Sequence, residues 1–261
     1  MDRSTRRRYA KRLFVWLGVA VIVATATTVG YFGTPYHGTP ESIAAVEDDP
    51  RVSVDRTDGG YVLQPAAEPE AGVVFYPGGR VDPDAYVGSL AALSREANVT
   101  VVVPQMPLNL AVVDYGLAQN GFGSHAADSA MADHPEISEW YVGGHSLGGA
   151  MACRYVAAND DTEGVLLYAS YCDVDISERD LAVVSVTGDA DGVLNRQAYE
   201  RNREKLPAST RFAELAGVNH TQFGSYTGQD APSGTSYGTA HRRLNAVVVP
   251  WLQNETAGET P

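Results

Sequence analysis

Apolar positions fall into one long block near the N-terminus and a series of short runs after it, and the two kinds predict different structures. Leu13 to Phe32 holds no charged residue, a stretch long enough to cross about 30 Å of hydrocarbon as a helix. The later runs are strand-sized. They predict strands near 52–55, 61–64, 72–76, 99–103, 139–142, 164–169, 181–187 and 211–215, with helices between most of the later ones. The first two read as an antiparallel hairpin turning at Thr57-Asp58-Gly59-Gly60, and the rest as parallel strands joined by right-handed crossovers. The expected organisation is a basic segment 1–12, an apolar helix 13–32, a Pro- and Gly-bearing linker 33–50, one α/β domain 51–253 and a tail 254–261.

One strand–helix junction carries chemistry. Trp140-Tyr141-Val142 leads into Gly144-His145-Ser146-Leu147-Gly148, and Ala150 to Ala158 is rich in helix formers. A serine on such a sharp turn adopts strained backbone angles, so glycines are needed on both sides where a Cβ would collide. Ser146 is therefore a candidate nucleophile, and it needs a base to take its proton. Downstream, the strand 181–187 runs into Gly188-Asp189-Ala190-Asp191-Gly192, a turn with two carboxylates, and the strand 211–215 leads to Asn219-His220. Ser146, Asp191 and His220 follow one another in the order Ser, Asp, His, each just past the carboxyl end of a strand, where loops of an open parallel sheet converge. Of the six histidines, only His220 has this placement. His145 sits at the variable position of the turn and is expected to pack or hydrogen-bond rather than titrate.

These segments, with Phe75-Tyr76-Pro77-Gly78-Gly79, Met106-Pro107-Leu108-Asn109-Leu110 and Gly217-Val218-Asn219-His220-Thr221-Gln222-Phe223-Gly224, resemble the α/β-hydrolase superfamily, in particular its small lidless members. The likeness runs from about Val54 to the last helix. It implies an α/β-hydrolase fold, a mostly parallel central sheet flanked by helices, and serine hydrolase activity. In that family the acid is the Asp of a G-x-x-D-G turn, which falls on Asp191, with Asp189 as the alternative. One oxyanion donor is expected to be the backbone N–H of Leu147 at a helix N-terminus. The other should come from Pro77-Gly78-Gly79-Arg80, with Gly79 first and Arg80 second. Only Ser170 to Asp180 separate two strands where larger relatives insert a cap, so no cap domain is expected, and Met106 to Tyr115 and Tyr171 are the available cover.

Hydrolysis of an uncharged or weakly charged carboxylic ester is the first functional expectation. The same three residues would serve a thioesterase, a peptidase or an acyltransferase, and a non-catalytic membrane-anchored binding domain is the alternative of a different class. Serine at position 146 argues against a dehalogenase, which would need Asp, and a dienelactone hydrolase, which usually has Cys. No cofactor is implied, and no His and carboxylate cluster has metal-ligand spacing along the chain.

Charge changes the picture at both ends. Arg3, Arg6, Arg7, Arg8, Lys11 and Arg12 precede the apolar block, which predicts a single-pass anchor with the basic end cytoplasmic and the domain outside. The alternative is a secreted enzyme, because Arg6-Arg7-Arg8 loosely resembles a twin-arginine signal. The first twelve residues hold six of the 19 basic and one of the 32 acidic residues, leaving 13 positive against 31 negative, or −18, for the remainder. Lysine is confined to Lys11 and Lys205. Such a field excludes nucleic acid as a partner and resembles surfaces adapted to molar salt. Cys153 and Cys172 are the only cysteines. Two cysteines make no disulfide framework and no Cys-rich metal site, and whether they pair is open from sequence.

Overall fold

The computed structural model describes residues 3–57 and 59–258, so Asp58 in the hairpin turn and the extreme ends of the basic segment and tail lie outside the described residues. In chain order the elements are α1 (Arg3–Phe32), α2 (Pro40–Glu47), β1 (Val52–Thr57), β2 (Gly60–Pro65), β3 (Ala71–Tyr76), α3 (Val87–Ala97), β4 (Val99–Pro104), α4 (Ala111–Gln119), α5 (Ala126–Asp133), β5 (Trp140–His145), α6 (Leu147–Ala158), β6 (Gly164–Tyr168), β7 (Ala182–Gly188), α7 (Arg196–Asn202), β8 (Arg211–Leu215) and α8 (Tyr237–Thr256). One sheet takes the order β1-β2-β4-β3-β5-β6-β7-β8. Strands β1 and β2 pair antiparallel, β2 meets β4 antiparallel, and the rest are parallel.

Alternation within strands that are apolar on both faces builds the two cores. In β3, Val73 and Phe75 join α3 and α8 on one face, while Val74 and Tyr76 join α5 and α6 on the other. This is how a buried parallel strand can read as a continuous apolar run. Among the described residues no helix interrupts the 169–181 connection, so no cap covers the carboxyl edge of the sheet there.

Two differences from the expected organisation bear on the site. The segment 33–50 is not a free linker. Pro40 starts α2 at a position where its missing N–H costs nothing, Val46 is buried, and Tyr36 pairs with the loop after β3 through Tyr36 N–H to Arg80 O at 2.7 Å and Asp82 N–H to Tyr36 O at 2.9 Å. The folded body thus begins near Tyr36, ahead of 51, and α8 continues past 253. In α1, Lys11–Phe32 is long and apolar enough to cross a membrane or to be a signal sequence.

Candidate active site

Strand β5 runs three residues further than its apolar run, because Gly143, Gly144 and His145 pair with Leu166, Leu167 and Tyr168 of β6. The chain then reverses at Ser146, whose φ of 53° and ψ of −120° place a non-glycine residue in strained backbone space. A Cβ on Gly144 would lie 2.4 Å from the Gly148 carbonyl carbon, and one on Gly148 would lie 2.1 Å from the Tyr76 carbonyl oxygen. Both positions therefore demand glycine. The strain is held by Ser146 N–H donating to Tyr168 O at 2.9 Å and Ser170 Oγ donating to Ser146 O at 2.6 Å. Ser146 borders a hollow of about 410 Å³ that also touches Val112, Leu147, Arg154, Tyr171 and Leu194.

The two carboxylates after β7 part company. Asp189 is exposed, and its Oδ1 accepts from Gly217 N–H at 2.5 Å. Asp191 is buried, accepts from Val193 and Leu194 N–H at 2.8 and 2.9 Å through Oδ1, and meets His220 Nδ1 at 2.9 Å through Oδ2. Burial opposes its charge, yet the hydrogen bond and charge of His220 with the two amides hold its carboxyl below the usual range. His220 opens a 3-10 turn (His220–Phe223) and is fully buried. Its Nε2, the nitrogen that a serine would address, has no hydrogen-bond partner among the described residues. The structure thus brings Asp191 and His220 into contact, and it places the ring of His145, next to Ser146, 4.3 Å from the His220 ring.

His145 is packed rather than titrating, as expected. Burial first, then the neighbouring His220, pushes its pKa well below the ordinary value. Its Nδ1 lies 3.0 Å from Tyr86 Oη, which accepts from Gly78 N–H at 2.8 Å. That link ties the turn to the loop after β3. On this loop Arg80 N–H is already donated to Asn109 O at 2.8 Å, whereas neither Gly79 N–H nor Leu147 N–H finds an acceptor among the described residues. A Cβ on Gly79 would lie 3.6 Å from Leu147 Cδ2, so the two residues are neighbours. The geometry favours Gly79 over Arg80 as the companion of Leu147.

The sequence of the alpha/beta hydrolase family matches residues 72–242, spanning β3 to the start of α8. The chain belongs to the alpha/beta hydrolase family. No curated protein matches it. Among solved structures it is similar to a protein of unknown function from Agrobacterium tumefaciens described as an alpha/beta hydrolase, at 17% identity and a TM-score of 0.53, covering 80% of this chain and 97% of that one. It is also similar to a dienelactone hydrolase-like promiscuous phosphotriesterase from metagenomic libraries, at 14% identity and a TM-score of 0.56, covering 78% and 98%. At such identities the likeness establishes the shared fold. As a member of this family the protein is a hydrolase.

Three features of this hydrolase escaped the sequence. Asp230 Oδ2 accepts from Gly192 N–H at 3.1 Å and His220 N–H at 3.0 Å, clamping the acid turn to the base loop. Arg154 Nε donates to Asp173 at 3.0 Å beside the hollow, so that charge is matched. Cys153 on α6 and Cys172 after β6 form a disulfide, 5.4 Å between Cα atoms, fixing the loop that carries Tyr171 and Asp173. Spacing along the chain also hid a cluster of metal-type donors among the described residues, His37, Asp82 and Asp84, in which His37 Nδ1 lies 2.9 Å from Asp84 Oδ2.

Proposed function

We propose that this hydrolase cleaves an uncharged carboxylic ester through an acyl-enzyme, with Ser146 as nucleophile, His220 as base and Asp191 as acid. The observation that carries this is the buried Asp191–His220 pair, its Nε2 unpaired, at the strand edge where Ser146 is strained. His220 Nε2 takes the Ser146 Oγ proton as Oγ bonds to the acyl carbon, and the carbonyl electron pair moves to oxygen between Gly79 and Leu147 N–H. The intermediate collapses, the bond to the leaving oxygen breaks, and His220 returns the proton to the departing alcohol. Water then repeats the sequence, releasing the acid and restoring Ser146. Asp191 fixes the imidazole tautomer and stabilises the imidazolium.

The ester is uncharged because the guanidinium of Arg154 is engaged by Asp173 and the remaining lining is mostly apolar. The chain is held by α1 as a single-pass anchor with the domain on the extracytoplasmic side. The basic residues before Leu13 and the disulfide, which persists in oxidising compartments, support that side. Labelling by a fluorophosphonate probe, lost in Ser146→Ala, tests the nucleophile. A panel of p-nitrophenyl esters of increasing chain length, with a thioester, a peptide amide and a phosphotriester, tests the class. Probe incorporation at another residue, or faster turnover of the amide or thioester, overturns it.

A further inference from the structure

We propose that the crevice is fed from the bilayer: a charge-poor strip, 105–122, seats on the lipid surface beside the exit of α1, and the substrate is an acyl ester dissolved in that leaflet. This rests on the ester hydrolysis and anchoring proposed above and names where their substrate resides.

The first observation is a junction. The last carbonyl of α1, on Phe32, accepts from Asn109 Nδ2 at 2.8 Å, and Asn109 Oδ1 in turn accepts from Gln105 Nε2 at 2.8 Å. Arg80 lies over the Tyr31 ring at 3.7 Å and donates to Thr34 O at 3.0 Å. The end of α1 is therefore fastened to the loop that carries Gly79 and to the start of the strip. Aromatic residues and a long cationic side chain at the end of an apolar helix are the groups that sit at a membrane–water interface. If Tyr31 and Phe32 lie at that level, the loop from Pro107 to Asn109 lies there too.

The second observation is the composition and exposure of the strip. In a chain with 32 acidic and 19 basic residues, 105–122 contains one charged residue, Asp114. Its carboxylate turns inward to accept from Ala126 N–H at 3.2 Å. Four large apolar side chains face out, Leu108, Val112, Leu117 and Phe122 at 42%, 40%, 41% and 77% exposed, and the large polar side chains exposed among them, Gln105, Gln119 and Asn120, are uncharged. Exposed apolar groups gain by entering the headgroup boundary, and the strip lacks the acidic charge that would repel an anionic leaflet. Val112 and the exposed Val193 also line the hollow at Ser146, so the apolar surface is continuous from the strip to the nucleophile. An ester sliding from the leaflet would keep its acyl chain on apolar surface throughout.

The full chain, reconstituted into phosphatidylcholine vesicles, offers the test. Leu117→Ser combined with Phe122→Ser changes two exposed residues outside the hollow. We expect kcat/KM for a long-chain umbelliferyl ester carried in the vesicles to fall about tenfold or more, and that for p-nitrophenyl butyrate in water to stay within about twofold. An equal effect on both esters, or none on either, overturns the proposal while leaving the triad standing. Independently of activity, a single Phe122→Cys substitution carrying an environment-sensitive nitrobenzoxadiazole label reports the location, since Cys153 and Cys172 are bonded to each other. Blue-shifted emission quenched by nitroxide lipids is the expected result. Emission as in water, a shift that depends on protein concentration rather than lipid, or release of the chain from carbonate-washed vesicles overturns it. If the vesicle label behaves as expected but Ser146 takes no fluorophosphonate, the seating stands and the ester reading fails.

Discussion

Two hollows on this molecule differ in the opposite sense from what their sizes imply. The larger, about 870 Å³, lies against the antiparallel edge and is lined by residues of β1, β2, β4 and α5, among them Asp55, Tyr61, Gln64 and Ser129. The smaller, about 410 Å³, opens where β5 gives way to α6. Both touch the start of a helix, α5 in the larger and α6 in the smaller, but only the smaller receives the strained Ser146, and the buried Asp191–His220 pair stands at the same edge. Volume comes from incomplete covering of a sheet, whereas chemistry comes from the carboxyl ends of parallel strands, where backbone turns expose side chains and leave N–H groups unspent.

The largest effect that would separate the hollows is expected for Ser146→Ala, which should lower kcat by about 10⁴-fold or more, while Ser129→Leu in the larger hollow should leave kcat/KM within about twofold. Steady-state rates on p-nitrophenyl butyrate check both. Loss of activity in Ser129→Leu alone, with folding intact by circular dichroism, would reverse the comparison.

Next comes the contrast within one turn. Asp191→Asn should lower kcat by about 10³- to 10⁴-fold, and Asp189→Asn by less than about tenfold, since only Asp191 touches His220. The opposite ranking moves the acid to Asp189. Asp230→Ala removes the acceptor shared by Gly192 and His220, so kcat should fall by about tenfold with KM little changed. A KM effect at constant kcat would mean that Asp230 touches substrate instead.

Protonation gives a smaller effect with a definite sign. The folded-state pKa of His145 is depressed by burial and by His220, and that of His241 by burial. The unfolded chain therefore binds more protons than the fold below about pH 6.5, so stability is complete above that value and is lost as pH falls, by at most about 1.4 kcal/mol per pH unit for each group. Urea unfolding between pH 7 and 5 should show this slope, and His145→Gln should flatten it. The smallest effect is on the surface. The soluble part, with 31 acidic against 13 basic residues after Arg12, should gain a few degrees in Tm between 0.05 and 2 M KCl as repulsion is screened. A Tm unchanged by KCl removes the halophilic interpretation and leaves the site intact.

Much of this was legible along the chain. All eight strand runs form strands, because a run of four to seven residues carrying apolar side chains between turn residues has few other ways to bury them. The extension of β5 through two glycines was not, since ladder pairing on both sides overrode their weak strand preference. Helix α2 was missed because eight residues give too little periodicity to outweigh a Pro and a Gly nearby. Asp230 lies in a coil without pattern, and Tyr86 sits in a 3-10 turn where nothing local marks a partner 59 residues away.

By itself the sequence determined the order of the strands and the α/β class of the domain, the glycines that a tight strand-to-helix turn requires, and the candidates Ser146, Asp191 and His220, because each follows from local sterics or periodicity. Tertiary structure alone decided which of two carboxylates in one turn meets His220, which amide of the Gly78-Gly79-Arg80 loop stays unspent, that Cys153 finds Cys172, and that the end of α1 is held by Asn109 and Arg80. Those are contacts between segments distant in the chain. Their energies depend on distance and direction in space, which no local pattern encodes.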